Sequence, residues 1–223
     1  MTLDQIAKTL LPERIYRNLF LLRHLQKLAT RKGAYLVETG YIKSIKQFKP
    51  VNKDGDPIPW MNYSFIDFFE PRLNKKMNVF EYGSGYSTLY LSDKVDSVTS
   101  VEFDKSWYEK MKLALDETDN CTLIYRPGHS EYVTAIKEFA NERFDIIIVD
   151  GRDRKDCMKH ILPCLSDEGV VLLDDSWQEK FDEVFEYFKE NGFRELSFSG
   201  LKPGGMIVEQ TTVFYRSDNV LGI

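Results

Sequence analysis

Short apolar runs alternate along the chain with segments whose apolar residues recur at helical spacing. The short runs predict strands and the helical spacing predicts helices, and this alternation is typical of βαβ units in a parallel sheet. No helix is predicted between the last two strands, which are joined by a loop that contains LKPGG, and this predicts an antiparallel pair. The predicted strands are residues 78–82, 97–102, 121–125, 144–149, 169–174, 193–198 and 210–216, and the predicted helices are 86–93, 105–118, 130–141, 154–165 and 178–190.

The N-terminal part of the chain has a different pattern. Residues 3–31 repeat apolar positions at helical spacing, with Pro12 suited to the first turn of a second helix. The connector that follows, up to residue 58, contains glycine and proline residues that predict turns, and it is long enough to form a short hairpin. We therefore predict a helical arm with its connector at residues 1–58, followed by the main domain at 59–223.

Composition adds two constraints. A chain of 223 residues with 43% hydrophobic and 29% charged residues predicts a folded globular protein. Three cysteines without metal-ligand spacing are typical of a reducing compartment, so a cytoplasmic location is expected, and no apolar run is long enough for a transmembrane helix.

The charge is distributed unevenly along the chain. Residues 1–53 carry 11 Lys/Arg against 3 Asp/Glu, whereas the whole chain has a net charge of −5. This basic arm could make weak contact with an anionic membrane surface, or its charges could simply be the solvated face of a helix. The acidic main domain does not favour nucleic acid as a partner.

The stretch FEYGSGYS follows the first predicted strand. Gly83 and Gly85 allow a ligand to approach the backbone closely, and Glu102 at the end of the next strand could accept hydrogen bonds from a ribose diol. The alternative is a tight strand-to-helix turn without a ligand. Together the two features predict a cofactor that contains adenosine.

The details of the turn discriminate between cofactors. A dinucleotide fingerprint needs a third glycine where Thr88 stands, and the Glu81 carboxylate would repel a pyrophosphate. A cationic partner suits Glu81 better, such as the amino-acid end of S-adenosylmethionine (SAM), contacted through a water. An NAD-dependent oxidoreductase is the less favoured alternative.

The motifs VFEYGSGYS, VTSVEFD, FDIIIVDG and EGVVLLDDS resemble those of class I SAM-dependent methyltransferases, over roughly residues 60–216. The segment from RPGHSEY to LLDDS is similar to catechol-type and macrolide-sugar O-methyltransferases. The resemblance implies an α/β fold with a Rossmann-like, seven-stranded, mostly parallel sheet whose last strand is antiparallel. It also implies that the cofactor is contacted by Glu81, Gly83, Ser84, Gly85, Glu102, Ser130, Glu131 and Asp150.

Three acids follow two neighbouring predicted strands: Asp150, Asp174 and Asp175. Oxygen-rich clusters of this kind suit Mg²⁺, and the mutual repulsion of three acids would be reduced by a cation. The alternative is that Asp175 only caps the next helix. The sequence thus allows a magnesium-assisted reaction in which the ion binds the acceptor hydroxyl.

The candidates for the catalytic base are Asp150 and Asp153. Catechol-type enzymes have a lysine where Asp153 stands, so a small molecule with a sugar or glycan hydroxyl is at least as plausible an acceptor as a phenol. A methyltransferase acting on nucleic-acid nitrogen and a non-catalytic binding module stay open as alternatives. The resemblance implies that Trp60 and Tyr63 could close over the cofactor, but the favoured interpretation is that both are core aromatics.

Overall fold

The computed structural model describes residues 8–223, so part of the predicted helix at 3–31 lies outside the described residues. Seven strands form one sheet in the order β3-β2-β1-β4-β5-β7-β6. Strands β1 to β5 are parallel, and β7 pairs antiparallel with both β5 and β6, which confirms the predicted fold class. The strands are β1 Asn78–Tyr82, β2 Ser97–Glu102, β3 Cys121–Tyr125, β4 Phe144–Val149, β5 Leu165–Asp174, β6 Arg194–Gly200 and β7 Glu209–Tyr215.

Helices fill the connections between the parallel strands, but several are shorter than predicted. The predicted helix at 154–165 ends at Met158, because Pro163 cannot continue a helix and lies in a short 3₁₀ turn instead. Strand β5 consequently begins four residues before the predicted start. The helices are α1 Glu13–Thr30, α2 Tyr35–Glu38, α3 Tyr41–Gln47, α4 Tyr63–Phe69, α5 Tyr86–Ser92, α6 Lys105–Ala114, α7 His129–Val133, α8 Arg154–Met158 and α9 Asp182–Glu190.

The core has two apolar layers, one on each face of the sheet. In β4, Ile147 and Val149 pack in one layer, and Ile146 and Ile148 pack in the other. A strand buried on both faces reads as a continuous apolar run, as FDIIIVD does. This rigid centre fixes the ends of the neighbouring strands.

The direction of the chain through the sheet reverses between β1 and β4. From β1 the chain proceeds outward to β2 and β3, and β4 then pairs with the other edge of β1. In open parallel sheets such a switch point leaves a crevice at the carboxyl ends of the strands. The FEYGSGYS turn, Glu102 and Asp150 all lie at this edge.

The arm and connector also differ from the prediction. Residues of α1 are exposed or half-buried, and α2 and α3 occupy part of a region that was expected to contain turns. The predicted hairpin is reduced to a single bridge between Val51 and Pro57. Contact of the arm with a membrane surface stays a prediction. Among residues 8–223, no helix is long and apolar enough to span a bilayer.

Candidate active site

A cavity of about 530 Å³ opens at the switch point of the sheet. Its walls come from the turns after β1, β2 and β4, together with Pro50 of the connector and the side chain of Trp60. The cavity brings together five residues that were predicted to contact a cofactor: four from the turns after β1 and β2, and one from the turn after β4. These predicted residues are Gly83, Ser84, Gly85, Glu102 and Asp150.

The two glycines of the β1 turn serve different purposes. Gly83 has a φ of +95°, and a Cβ there would lie 2.7 Å from the Cα of Gly151, so the turns after β1 and β4 touch through their backbones. A Cβ on Gly85 would meet no atom within 4 Å in the described part of the chain, apart from its two neighbours in sequence. Gly83 is therefore required by the fold, whereas Gly85 leaves space beside the cavity that a ligand can fill.

Glu81 lies beneath the turn and not in the cavity wall. Its Oε2 accepts hydrogen bonds from the hydroxyls of Thr88 at 2.5 Å and Ser100 at 3.0 Å, and the N–H of Gly85 donates to the same Thr88 hydroxyl at 2.9 Å. Oε1 is buried and has no hydrogen-bond partner among residues 8–223. The carboxylate thus holds the turn through Thr88, and its unpartnered oxygen fits a cationic group reached through a water.

The buried position of Glu81 has a consequence for stability. Burial raises the pKa of Glu81, and the hydroxyls around it oppose that shift only in part. A carboxyl with a raised folded-state pKa stabilises the fold below its unfolded pKa, and this contribution disappears as the pH rises through the folded value.

Glu81→Gln should therefore gain stability relative to the wild type as the pH rises from about 4 to about 8, because glutamine cannot ionise. Thermal unfolding of both proteins across this range measures the difference. Glu195→Gln, which removes the same charge from an exposed position on β6, should show no such trend. If instead the stability of the wild type increased relative to that of the glutamine variant as the pH rises, the buried carboxylate would have to be stabilised by a positive partner.

Glu102 ends β2 and lies in the cavity wall, where 3% of the residue is exposed. Its Oε1 accepts the backbone N–H groups of Phe103 and Asp104, both at 2.8 Å, and its Oε2 accepts the Ser84 hydroxyl at 3.1 Å. These bonds fix the orientation of the carboxylate. The remaining acceptor capacity of Oε2 is available to a diol in the cavity.

Sequence reasoning missed the aromatic part of the cavity wall. Phe103 and Trp107 flank Glu102 there, and the indole N–H of Trp107 donates to the Ser84 carbonyl at 2.7 Å. Trp60 is 53% exposed and lies in the cavity wall, which fits the alternative that it closes over a cofactor and not the favoured interpretation of a core aromatic. Tyr63 is buried, as the favoured interpretation has it. The signal for Trp107 was its place in the first turn of the helix after Glu102.

A second cavity of about 490 Å³ adjoins the first, since both have Trp60 and Asp150 in their walls. Its other walls are the acids Asp175 and Glu209 and the loop between β6 and β7, which contributes Lys202. An acceptor placed here would lie beside a cofactor placed in the first cavity. Asp150 stands at the boundary between them.

The structure brings together the three acids that the sequence nominated as metal ligands. Single carboxylate oxygens of Asp150, Asp174 and Asp175 all lie within 4.8 Å of one another. Two cations are already among them. Lys202 Nζ lies 2.5 Å from both Asp174 Oδ2 and Asp175 Oδ1, and Arg154 pairs with Asp150 Oδ1 at 3.1 Å and Asp175 Oδ2 at 3.0 Å.

The oxygens that a metal would use are therefore occupied. The second oxygen of Asp174, Oδ1, accepts the Thr211 hydroxyl at 2.6 Å, so both oxygens of this aspartate have partners. The predicted need for a cation is met by Lys202 and Arg154, which the sequence reasoning did not consider as partners of these acids. The residues do not fit a bound Mg²⁺, and the magnesium prediction is not supported.

The two candidate bases differ in their surroundings. Burial and the nearby Asp174 carboxylate raise the pKa of Asp150, with Arg154 and Lys202 opposing the shift. Asp150 keeps 20% of its side chain exposed towards the cavities. A carboxylate with a raised pKa is a better proton acceptor than an ordinary one.

The surroundings of Asp153, the other candidate base, favour a structural role. It lines neither of the two cavities, and its Oδ2 contacts His129 Nδ1 and Arg152 Nε, both at 2.9 Å. Burial would raise the pKa of Asp153, but these two partners outweigh it and lower the pKa. Its place is in a structural contact between the loop after β4 and α7.

Ser130 and Glu131, nominated for adenine, lie in α7 outside the first cavity. Both are exposed, and the helix begins one residue earlier than predicted, at His129. Glu131 packs near Gly128, whose Cβ would lie 3.3 Å from the glutamate Oε2. Their contact with a cofactor stays a prediction that the cavity does not favour.

A comparison with known protein families matches the segment of the chain that forms most of the first cavity. Residues 80–176, which contain the turns after β1, β2 and β4 and the paired acids after β5, match a family model described as a methyltransferase domain. This segment is similar to a methyltransferase domain. The search against curated proteins found no match.

Solved methyltransferases share the fold. The O-methyltransferase TomG from Streptomyces achromogenes, in complex with SAM, is 16% identical with a TM-score of 0.55, over 68% of this chain and 78% of that chain. An rRNA methylase from Streptococcus thermophilus is also 16% identical, with a TM-score of 0.54 over 69% and 95% of the two chains. Fibrillarin from Aeropyrum pernix, with natively bound S-adenosyl-L-methionine, is 12% identical with a TM-score of 0.51 over 63% and 67%. At this identity the likeness is one of fold.

Proposed function

We propose that this protein is a SAM-dependent methyltransferase that methylates a hydroxyl oxygen of a small molecule or sugar. The observation that carries the proposal is the pair of adjoining cavities, one bordered by the glycine turn and Glu102, the other by acids, with Asp150 between them. The family match and the SAM-bound neighbours favour this cofactor. The O-methyltransferase TomG is consistent with oxygen as the acceptor atom.

The residues of the first cavity fit the parts of SAM. Glu102 would hold the ribose hydroxyls, Phe103 and Trp107 offer aromatic surfaces for the adenine, and Gly85 leaves room at the turn. Glu81 lies beneath the turn, and its unpartnered oxygen suits the ammonium group of the methionine end if a water lies between them. When bound, SAM supplies a sulfonium methyl group that an oxygen nucleophile can attack.

Asp150 is the best-placed group to act on the acceptor. Its carboxylate would accept the proton of an acceptor hydroxyl in the second cavity as the oxygen becomes nucleophilic. Arg154, paired with Asp150 at 3.1 Å, keeps that carboxylate oriented. Trp60 provides an apolar wall common to both cavities, against which an acceptor ring can pack.

Titration calorimetry with SAM and with NAD tests the cofactor. We expect saturable binding of SAM and none of NAD, because the fully buried Glu81 carboxylate lies directly under the turn that a pyrophosphate would contact. Methyl release to a panel of phenols, sugars and glycosides then tests the reaction. A preference for NAD would contradict the proposal, and SAM binding without methyl release to any acceptor would favour a binding module.

A further inference from the structure

The cation at the centre of the carboxylate cluster is a buried lysine side chain of the protein itself. Lys202 has 8% of its side chain exposed, and besides Asp174 and Asp175 it lies 3.4 Å from Glu209 Oε2. An ammonium group has three N–H donors, and here three carboxylates surround it. Burial would lower the pKa of Lys202, but Asp174 and Asp150 outweigh it and raise the pKa, so the group is charged.

The loop that carries Lys202 is anchored at several points. The N–H of Tyr63 donates to the Leu201 carbonyl at 3.0 Å, and the N–H of Gly205 donates to the Lys202 carbonyl at 2.9 Å. The phenol of Tyr41 in α3 donates to the Gly205 carbonyl at 2.7 Å. The lysine is therefore held against the cluster by backbone contacts on both sides.

A metal ion and this ammonium group cannot occupy the cluster together. Mg²⁺ binds carboxylate oxygens at about 2.0–2.1 Å. An ion that close to Asp174 Oδ2 and Asp175 Oδ1 would lie against the ammonium, which is 2.5 Å from the same two oxygens. Like charges at such a distance repel strongly in a buried site.

We propose that Lys202 takes the position of a divalent cation in this cluster, so that the acceptor site works without a bound metal ion. The inference rests on the proposed function for its meaning in catalysis, but the position of the lysine can be tested without activity. Lys202 is a positioning residue: it holds Asp174 and Asp175 and leaves Asp150 to act on the acceptor.

The arrangement also bears on the acceptor. All three donors of Lys202 face carboxylates, so none is left to bind an anionic acceptor. The cluster has four carboxylates, with Glu209 included, against the two cations Lys202 and Arg154. An excess of negative charge at the second cavity favours neutral or cationic acceptors that bear hydroxyls over phosphorylated or carboxylated ones.

The test is a titration of the protein with Mg²⁺ and Mn²⁺. Binding is measured by calorimetry and by the electron paramagnetic resonance signal of free Mn²⁺. We expect no saturable binding to the wild type at millimolar metal. Lys202→Ala should bind Mn²⁺ at least about ten-fold more tightly than the wild type, because the carboxylates lose their internal cation. Lys159→Ala, which removes an exposed lysine paired with Asp156, should behave like the wild type.

Two results would overturn the proposal. One is stoichiometric Mn²⁺ binding by the wild type that Asp174→Asn abolishes. The other is a folded Lys202→Ala that binds no more metal than the wild type, since the cluster would then not be a cation position. If Lys202→Ala does not fold, Lys202→Met keeps the long apolar stem of the side chain, removes its charge and leaves all the carboxylates in place, so it is read in the same way.

Titration of the same samples with SAM separates the two proposals. A wild type that binds neither SAM nor metal, beside a lysine variant that gains metal, would contradict the proposed function and leave the position of Lys202 supported. SAM binding by the wild type together with stoichiometric metal binding at the cluster would support the proposed function and contradict the proposed position of Lys202.

Discussion

Asp150→Asn should lower turnover by about 10²–10⁴-fold while SAM affinity changes far less. Asparagine has nearly the same shape, so the contact with Arg154 and the cavity wall is preserved in outline, but the amide cannot accept the acceptor proton. Single-turnover methyl transfer, with SAM affinity measured separately by calorimetry, distinguishes the chemical step from binding. Equal loss in turnover and cofactor affinity would assign Asp150 to cofactor binding instead.

Asp153→Asn is the matched control, because it makes the same substitution three residues away in the same loop. Asp153 contacts His129 and Arg152 and lines neither cavity, so its variant should keep turnover close to that of the wild type. A turnover loss confined to Asp153→Asn would assign the base to Asp153, the other candidate, and not to Asp150.

The pH dependence of turnover provides a second measurement on the same carboxylate. The base must be ionised to work, and burial beside Asp174 raises the pKa of Asp150. Activity should therefore be lost as the pH falls through that raised value, at a higher pH than for an ordinary aspartate.

The sheet and the cofactor edge were accessible from sequence because their signals are local. The run FDIIIVD can only be buried on both faces, and the distance from the glycine turn to Glu102 is one helix plus one strand. Parallel strands place their carboxyl ends at one edge, so Glu102 and Asp150 meet there whatever the details of the loops. These features follow from periodicity and topology alone.

The parts that were missed depend on contacts between distant segments. Lys202 lies 27 residues beyond Asp175 and looks like an ordinary turn lysine in LKPGG, yet it fills the middle of the acid cluster. Asp153 has a φ of +51°, in the left-handed region, and its carboxylate contacts His129 and Arg152 and not the cavity. The ion pairs of Lys202 join segments that are far apart in sequence, and the backbone conformation of Asp153 is a property of a single loop residue. Neither feature produces a pattern that can be recognised in the sequence.

The connector shows the same limit. Pro50 lies in the wall of the first cavity and Tyr41 of α3 holds the loop of Lys202, although the sequence assigned both residues to the arm and its connector. Turn signals indicated where the chain bends but not where the segment docks. The connector contributes to the wall of the first cavity through Pro50, and Tyr41 supports the second cavity indirectly by anchoring the loop that lines it.

Glu102→Ala should weaken SAM binding by about 1.5–3 kcal/mol, because hydrogen bonds from the ribose hydroxyls to a charged acceptor are lost. The variant also leaves the N–H groups of Phe103 and Asp104 without their acceptor. Glu102→Gln is therefore the sharper variant, since its amide oxygen can still accept those backbone donors while the charge is removed. We expect it to lose a smaller part of the same affinity.

Glu131→Gln completes the comparison by making the same substitution at an exposed position in α7, outside the first cavity. Calorimetry with SAM should find its affinity equal to that of the wild type. If Glu131→Gln weakened binding while Glu102→Gln did not, the cofactor would lie against α7 and not against the end of β2. Because the Glu102 carboxylate is held by Ser84 and two backbone N–H groups, it presents a fixed acceptor to the cavity, and that fixed geometry is the reason to expect the loss at Glu102.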